Sequence, residues 1–177
     1  MPAGWQVVDG ALTRVDGGGD LITRDEFGDF ELALEWKVAE GGNSGIMYRV
    51  TEDAGATYET GPEMQILDDS RHKDGASRLT AAGSAYGLYP APAGVVKPAG
   101  EWNAVRIVVR GNHVEHWLNG TKVLDYELGS PDILAAVQDS KFKTNAGFGT
   151  KKPGHILLQD HGDAVCYRNL KIRPGTT

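Results

Sequence analysis

The sequence predicts an all-β fold, two antiparallel sheets packed face to face. Three observations predict it. Short runs alternating apolar and polar residues recur along the chain, about a dozen in all, as in Phe30–Val38 and His113–Leu118. Turn dipeptides separate several of them: Asp9-Gly10, Gly111-Asn112 and Asn119-Gly120. One stretch alone, Ser130–Lys141, carries helical spacing. Many short strands with turn signals between them indicate a sandwich, and the scarcity of helices excludes strand–helix alternation.

Taken in order, Trp5–Val15 gives two short strands around the Asp-Gly turn. Gly17–Gly19 links them to a brief strand at Leu21–Thr23. The stretch Asp29–Asp69 then supplies three strands, within DFELALEWKV, GGNSGIMYRV and PEMQILDD. Residues two apart on a strand share a face. Phe30, Leu32, Leu34, Trp36 and Val38 form an apolar face, with Glu31 and Glu35 opposite. Ile46, Tyr48 and Val50 likewise oppose Met47 and Arg49, and Met64 and Ile66 oppose Glu63 and Gln65. If these strands are neighbours, Glu35, Arg49, Glu63 and Gln65 meet on one surface, a polar floor suited to a hydroxyl-rich ligand.

Asp68–Gly100 is a long segment rich in Ala, Gly and Pro, containing His72, Tyr86, Tyr89 and Lys97. Segments of that length without periodicity are usually functional. Trp102–Arg110, His113–Leu118 and Lys122–Tyr126 form a meander through tight turns. Ser130 as N-cap, Pro131 at the first helical position and Asp132 near the N-terminus start the one helix, within Ser130–Lys141. A loop through Asn145 and Lys152 leads to two last strands, His155–Gln159 and Ala164–Ile172. The whole chain, residues 1–177, reads as one sandwich domain.

Composition narrows the function. A net charge of −6 argues against a nucleic-acid partner, which needs a basic surface. No run approaches the ~18 apolar residues of a membrane span. The N-terminus has no charged segment followed by an apolar one, so no signal peptide is read here, and the compartment stays open. The single cysteine, Cys166, excludes an internal disulfide and a cysteine zinc cluster. Oligomeric state is not legible.

Several side chains carry chemistry by type and place. Glu63 and Gln65 sit two apart in PEMQ, where a carboxylate can transfer protons or accept hydrogen bonds from sugar hydroxyls. The plainer alternative is an ion pair with Arg49. Gln159 and His161 share a face near a strand end, flanked by Asp160 and Asp163 and followed by Gly162. The aspartates either orient the imidazole or cap turn amides. His116 alternates with Val114 and Leu118, a pattern typical of an interior histidine, whereas Trp117 on the other face offers a stacking platform for a sugar. Asn43 in GGNSG is a candidate ligand-binding residue, or simply a turn residue. His72 with Asp68, Asp69 and Asp74 supplies donors compatible with a divalent cation, but in no defined loop spacing.

Four phrases together, GGNSGIMYRV (Gly41–Val50), ETGPEMQILDD (Glu59–Asp69), KPAGEWNAVRIVVRGNHVEHWLNG (Lys97–Gly120) and GHILLQDHGDAVCYRNLKI (Gly154–Ile172), resemble the 3-keto-disaccharide hydrolase domain family. The resemblance runs in order along nearly the whole chain. Family domains often begin with an extra segment before the first Trp, and this chain starts near Trp5. The resemblance implies a concanavalin-like (laminin-G-like) jelly-roll sandwich and an enzyme acting on an oligosaccharide or glycoside oxidised at carbon 3 of glucose. It favours a functional role for His116.

A ketone at carbon 3 acidifies the hydrogen on carbon 2. A modest base then gives an enolate whose collapse expels the group on carbon 1, and water can add back. That chemistry needs a base, an oxyanion stabiliser and an acid for the leaving oxygen, and no cofactor, though a divalent cation is compatible with it. The expectation is His161 or His116 as base, Glu63 as its partner or as the acid, and Arg49 and Gln65 as substrate holders. Arg49, Gln159 or a bound cation would face the oxyanion, with Glu35, Asn43 and Trp117 completing the binding surface. Two rivals stand beside it. A carbohydrate-binding module would bind sugar without turnover. An ordinary glycosidase using Glu35 and Glu63 would cleave an unoxidised aryl glucoside.

Overall fold

The computed structural model describes residues 3–52, 56, 59–145, 147–150 and 153–175. The described residues form two antiparallel sheets and one α-helix. The larger sheet has seven strands in the order β1 (Trp5–Val8), β2 (Ala11–Arg14), β11 (Val165–Pro174), β4 (Phe30–Val38), β7 (Asn103–Arg110), β8 (His113–Leu118) and β9 (Thr121–Glu127). The smaller has four, in the order β3 (Leu21–Ile22), β10 (His155–Leu158), β5 (Asn43–Val50) and β6 (Glu63–Leu67). The expected turns hold: Asp9 and Gly10 take φ of 50° and 76°, Asn119 and Gly120 take 49° and 80°. Positive φ at both central residues matches the right-handed twist of a two-residue hairpin.

The inner faces bury Phe30, Leu32, Leu34 and Trp36 of β4 against Ile46 and Tyr48 of β5 and Met64 and Ile66 of β6. Burying one such side chain contributes roughly 1.5–3 kcal/mol, so this alternating face fixes the register. The chain passes from one sheet to the other at residues 39–42. Of the three central strands only β5 and β6 are therefore neighbours: β5 pairs with β6 and β10, whereas β4 pairs with β7 and β11 in the other sheet. The shared surface expected of Glu35 with Glu63 is thereby corrected. Hydrophobic alternation sets which face of a strand is buried, but not which sheet the strand joins.

The helix α1 (Pro131–Gln138) starts as expected, with Ser130 Oγ accepting from the Ile133 amide at 3.3 Å. It stops short of Lys141. Ser140 turns its hydroxyl back onto the Val137 carbonyl at 2.8 Å and accepts from the Phe142 amide at 3.0 Å, replacing the next helical turn. Phe142 then stacks on Phe148, ring centroids 4.6 Å apart, and Lys141 is left in the loop. Lys152, expected at the end of that loop, lies outside the described residues.

Asp68–Gly100 is not a loose loop. Its alanines 81, 82, 85 and 91 and Leu88 are buried, and it hydrogen-bonds along the free edge of β6. The Gln65 amide donates to Ser84, the Gly83 amide to Gln65, and the Tyr86 amide to Glu63. An edge strand covered in this way is protected from pairing with another chain. The same bonds carry Tyr86 onto the outer face of the small sheet.

Candidate functional site

The small sheet turns Ser44, Ile46 and Tyr48 of β5 inward, and its outer face shows Asn43, Gly45 and Met47 beside Glu63 and Gln65. On that face lies a pocket of about 220 Å³ lined by Asn43, Glu63, Gln65, Tyr86, Lys141, Gln159 and His161. Five of the seven were singled out from sequence. They converge because β5 lies between β6 and β10, so the start of β5, all of β6 and the end of β10 meet.

Glu63 is the electrostatic centre of the pocket. Among the described residues none donates a hydrogen bond to its carboxyl group, and burial raises its pKa to about 8 against a partial offset from the Lys141 charge. Asp20 and Asp74 push in the same direction as burial. A Cβ on Gly45 would stand 2.0 Å from Glu63 Oε1, so the carboxyl lies in a space that only glycine leaves open. Gln65 is held at both ends, Nε2 donating to the Thr80 carbonyl at 3.1 Å and Oε1 accepting from the Ile66 amide at 3.2 Å. It forms a rigid floor.

Gln159 continues the ladder, its amide donating to Gly45 and its carbonyl accepting from Ser44 Oγ at 2.6 Å. His161 follows on an exposed turn, with Nδ1 3.8 Å from Asp163 Oδ2. That Asp163 oxygen also accepts from the Asn43 amide at 3.1 Å, tying the turn to the start of β5. Asp160 instead serves structure, bound by Arg14 at 2.7 Å and by the amides of Gly18, Gly19 and Gly162. The rings of His161 and His72 meet edge to face, centroids 6.4 Å apart. Asn43 Oδ1 is buried without a hydrogen-bond partner among the described residues.

Tyr86 and Lys141 complete the pocket. Tyr86 donates its hydroxyl to Asp74 at 3.2 Å, and its phenol is pushed up to about 12, mainly by burial. Lys141 Nζ stands 4.4 Å from the centroid of the Tyr86 ring. In the sequence Tyr86 stands out only as part of the long segment, and Lys141 reads as the end of the helix.

Four expected site residues lie elsewhere. Glu35 is on the outer face of the large sheet, accepting from Arg168 Nε at 2.8 Å and from Asn169. Sheets in a sandwich pack about 10 Å apart, so Glu35 and Glu63, on opposite outer faces, exceed any two-carboxylate spacing. Arg49 is buried at the other end of β5, with positive φ of 55°, its guanidinium donating to the carbonyls of Gly149 and Gly111. It ties two turns together and does not face the pocket. His116 lies in the core: Nε2 is 2.8 Å from Tyr48 Oη and Nδ1 is 3.2 Å from the Gly83 carbonyl. A carbonyl only accepts, so Nδ1 carries the proton and Nε2 accepts from the tyrosine. Burial lowers its pKa to about 4, which keeps it neutral. Trp117 faces outward from the large sheet with the Arg106 guanidinium 4.4 Å from its ring centroid, so its stacking face is taken.

The acidic loop is committed too. Asp68 accepts from the amides of Gly41 and Ser70 and from Ser70 Oγ, and Asp69 from Arg78 and the Ala82 amide. His72 Nδ1 accepts from the Asp74 amide at 3.1 Å. Two clefts elsewhere match or exceed the pocket in volume. The first, about 260 Å³, is lined almost wholly by aliphatic residues, and the second, about 370 Å³, lies at the Asp29–Arg110 end of the large sheet. Neither gathers a comparable set of buried polar groups.

A family profile described as the 3-keto-alpha-glucoside-1,2-lyase-like domain matches residues 1–173. A Bacteroides thetaiotaomicron protein named 3-keto-disaccharide hydrolase is 35% identical over 206 residues, covering 98% of this chain and 71% of the relative. A crystal structure from Parabacteroides distasonis, provisionally described as a glycosyl hydrolase, superposes with a TM-score of 0.89 at 33% identity, covering 98% of this chain and 84% of that one. A carbohydrate-binding module, CBM66 of Bacillus subtilis, shares the fold at a TM-score of 0.58 and 12% identity, covering 96% and 90% of the two chains.

Proposed function

The chain belongs to the 3-keto-alpha-glucoside-1,2-lyase-like domain family, and on that premise we propose that its pocket cleaves 3-keto-glycosides by elimination across carbons 1 and 2. The observation that carries the reading is Glu63: a buried carboxyl with no hydrogen-bond donor among the described residues, its pKa raised by burial to about 8, in one pocket with an exposed histidine and a lysine. A carboxyl held neutral is a proton donor. An exposed imidazole is suited to accept one.

In this reading His161 takes the proton from carbon 2, and the electron pair moves to the oxygen on carbon 3 as an enolate. Lys141 faces that oxygen, in the role expected from the sequence of Arg49, Gln159 or a bound cation. Reformation of the ketone pushes out the oxygen on carbon 1, which takes its proton from Glu63. The ring is left with a double bond between carbons 1 and 2. Release at this point is a lyase outcome, and addition of water at carbon 1 completes a hydrolysis. Gln65, Gln159 and Asn43 hold the ring hydroxyls. The pocket has room for one sugar ring, so the rest of the glycoside lies outside it.

Turnover of a 3-keto-glucoside and of its unoxidised parent tests the reading. The expected result is cleavage of the first alone, with solvent deuterium appearing at carbon 2 of the hydrolysed product. Efficient cleavage of the unoxidised glucoside without exchange would overturn it. Sugar binding with no turnover of either would favour a binding module.

A further inference from the structure

On the opposite side of the molecule, the outer face of the large sheet gathers a second cluster around His113. The register sets His113 of β8 directly across from Glu127 of β9, and Glu115 directly across from Asp125. Glu115 and Asp125 thus form a cross-strand pair of like charges, an arrangement that destabilises a sheet unless a cation lies between them. His113 Nε2 stands 3.7 Å from Glu115 Oε1 and 3.5 Å from Asp125 Oδ1. These separations are long for hydrogen bonds. They are close to the roughly 3.4 Å between neighbouring donors around a tetrahedral zinc with bonds of about 2.1 Å.

The surroundings fit a bound ion as well. Trp117 Nε1 donates to Glu115 Oε2 at 2.7 Å, fixing the carboxylate and leaving Oε1 toward His113. Glu127 Oε2 lies 3.8 Å from His113 Nδ1, the side away from the other two carboxylates. A carboxylate behind a metal-bound imidazole sets its tautomer and raises its basicity. Among the described residues this is the one set of three histidine, cysteine, aspartate or glutamate side chains whose ligand atoms all fall within 4.8 Å of one another.

We propose that His113 Nε2, Glu115 Oε1 and Asp125 Oδ1 form a binding site for a divalent transition ion of the zinc class, separate from the pocket. One imidazole and two carboxylates are too few oxygens for calcium and suit zinc with water in the fourth position. Lys122 is the resident competitor: its Nζ is 3.5 Å from Glu115 Oε1 and bonded to Asp125 Oδ2. An entering ion displaces that ammonium, whose side chain is 39% exposed and free to swing into solvent. The bound ion would clip edge strand β9 to β8.

Calorimetric titration of the purified protein with zinc tests this, with cobalt absorption reporting coordination geometry. The expected result is one equivalent bound, weakened at least ~10-fold in His113→Ala and in Asp125→Asn. Lys122→Ala should tighten binding several-fold, and His161→Ala should leave it unchanged. The Lys122 variant separates a metal site from a simple ion-pair cluster, which would lose stability there and gain no affinity for metal. Absence of binding at about millimolar zinc would overturn the proposal. So would binding indifferent to His113→Ala, or binding weakened by Lys122→Ala.

Discussion

The outer faces of the two sheets use the same sequence device for opposite ends. Along β4 the outward positions are Glu31, Ala33, Glu35 and Lys37; along β6 they are Glu63, Gln65 and Leu67. On β4 both carboxylates meet an arginine. Glu31 pairs with Arg106 and Arg173, Glu35 with Arg168, and the last bond chiefly lowers the Glu35 pKa. On the small sheet the long segment and the loop after α1 close over the face, and among the described residues none donates a hydrogen bond to the Glu63 carboxyl, so its pKa moves the other way. A carboxylate alternating out of an apolar strand has no fixed role. What covers it, and whether a cation comes with the cover, decides between a surface ion pair and a proton donor.

The largest effects should come from breaking the small-sheet face. His161→Ala should lower kcat by roughly 10²–10⁴-fold, the scale of a lost general base, with little change in KM. Glu63→Gln keeps the shape but cannot donate a proton, and a loss of similar size is expected, largest for glycosides with poor leaving groups. Steady-state kinetics on a 3-keto-glucoside series measures both. A flat dependence on leaving group in Glu63→Gln would remove Glu63 from the acid role. Lys141→Met should cost about 10²–10³-fold, the scale of one lost oxyanion donor.

Next in size is the glycine beneath the carboxyl. Gly45→Ala puts a methyl group where Glu63 Oε1 now lies, 2.0 Å away, and the flexible end of Glu63 must move. The fold should survive with a loss of about 1–2 kcal/mol, while kcat drops ~10²-fold because the donor is misplaced by an ångström or so. Thermal melts and kinetics on the same sample separate the two effects. Unchanged activity would mean that the carboxyl's position is not critical.

The pH dependence sharpens the same contrast. Glu63 holds its proton more tightly when folded, with a pKa of about 8 against 4.5 for the free side chain. Its protonated form is fully retained in both states below the unfolded value. Its contribution to stability is then lost as pH rises, by roughly 1.4 kcal/mol per unit across the window up to about 8. Glu63→Gln should flatten that slope. Wild-type kcat/KM should also fall above about pH 8 as the donor ionises.

What the sequence made legible was local. Strand positions, the two hairpin turns and the helix start all follow from alternation and turn chemistry over a few residues. Gln159 and His161 were legible as pocket residues because neither has a packing reason to follow the apolar run Ile156–Leu158. Glu35 is misplaced by the sequence because membership of a sheet depends on where the chain crosses over at residues 39–42, and Arg49 because a positive φ at the far end of β5 turns its guanidinium onto the Gly111 and Gly149 carbonyls. Lys141 was missed because its position depends on Ser140 ending the helix one turn early, a competition between side-chain and backbone hydrogen bonds. His116 shows the converse. Its alternation with Val114 and Leu118 pointed to the core, and the structure places it there with both ring nitrogens satisfied.

The smallest effect belongs to the other face, and it is the control that gives the rest their meaning. Glu35 and Arg168 form a half-exposed pair at 2.8 Å, with Arg168 stacked over Trp102 at 4.0 Å. Exposed pairs of this kind contribute about 0–1 kcal/mol, because solvent screens the attraction and ordering two long side chains offsets part of it. Glu35→Gln should therefore leave kcat and KM unchanged within error and lower stability by at most ~1 kcal/mol, less at high salt. Glu35 and Glu63 would be the natural pair for an ordinary glycosidase, and their places on opposite outer faces remove the geometry for it. A large loss of kcat in Glu35→Gln, with the melt unchanged, would bring Glu35 back to the reaction. It would then contradict the division of labour between the two sheets.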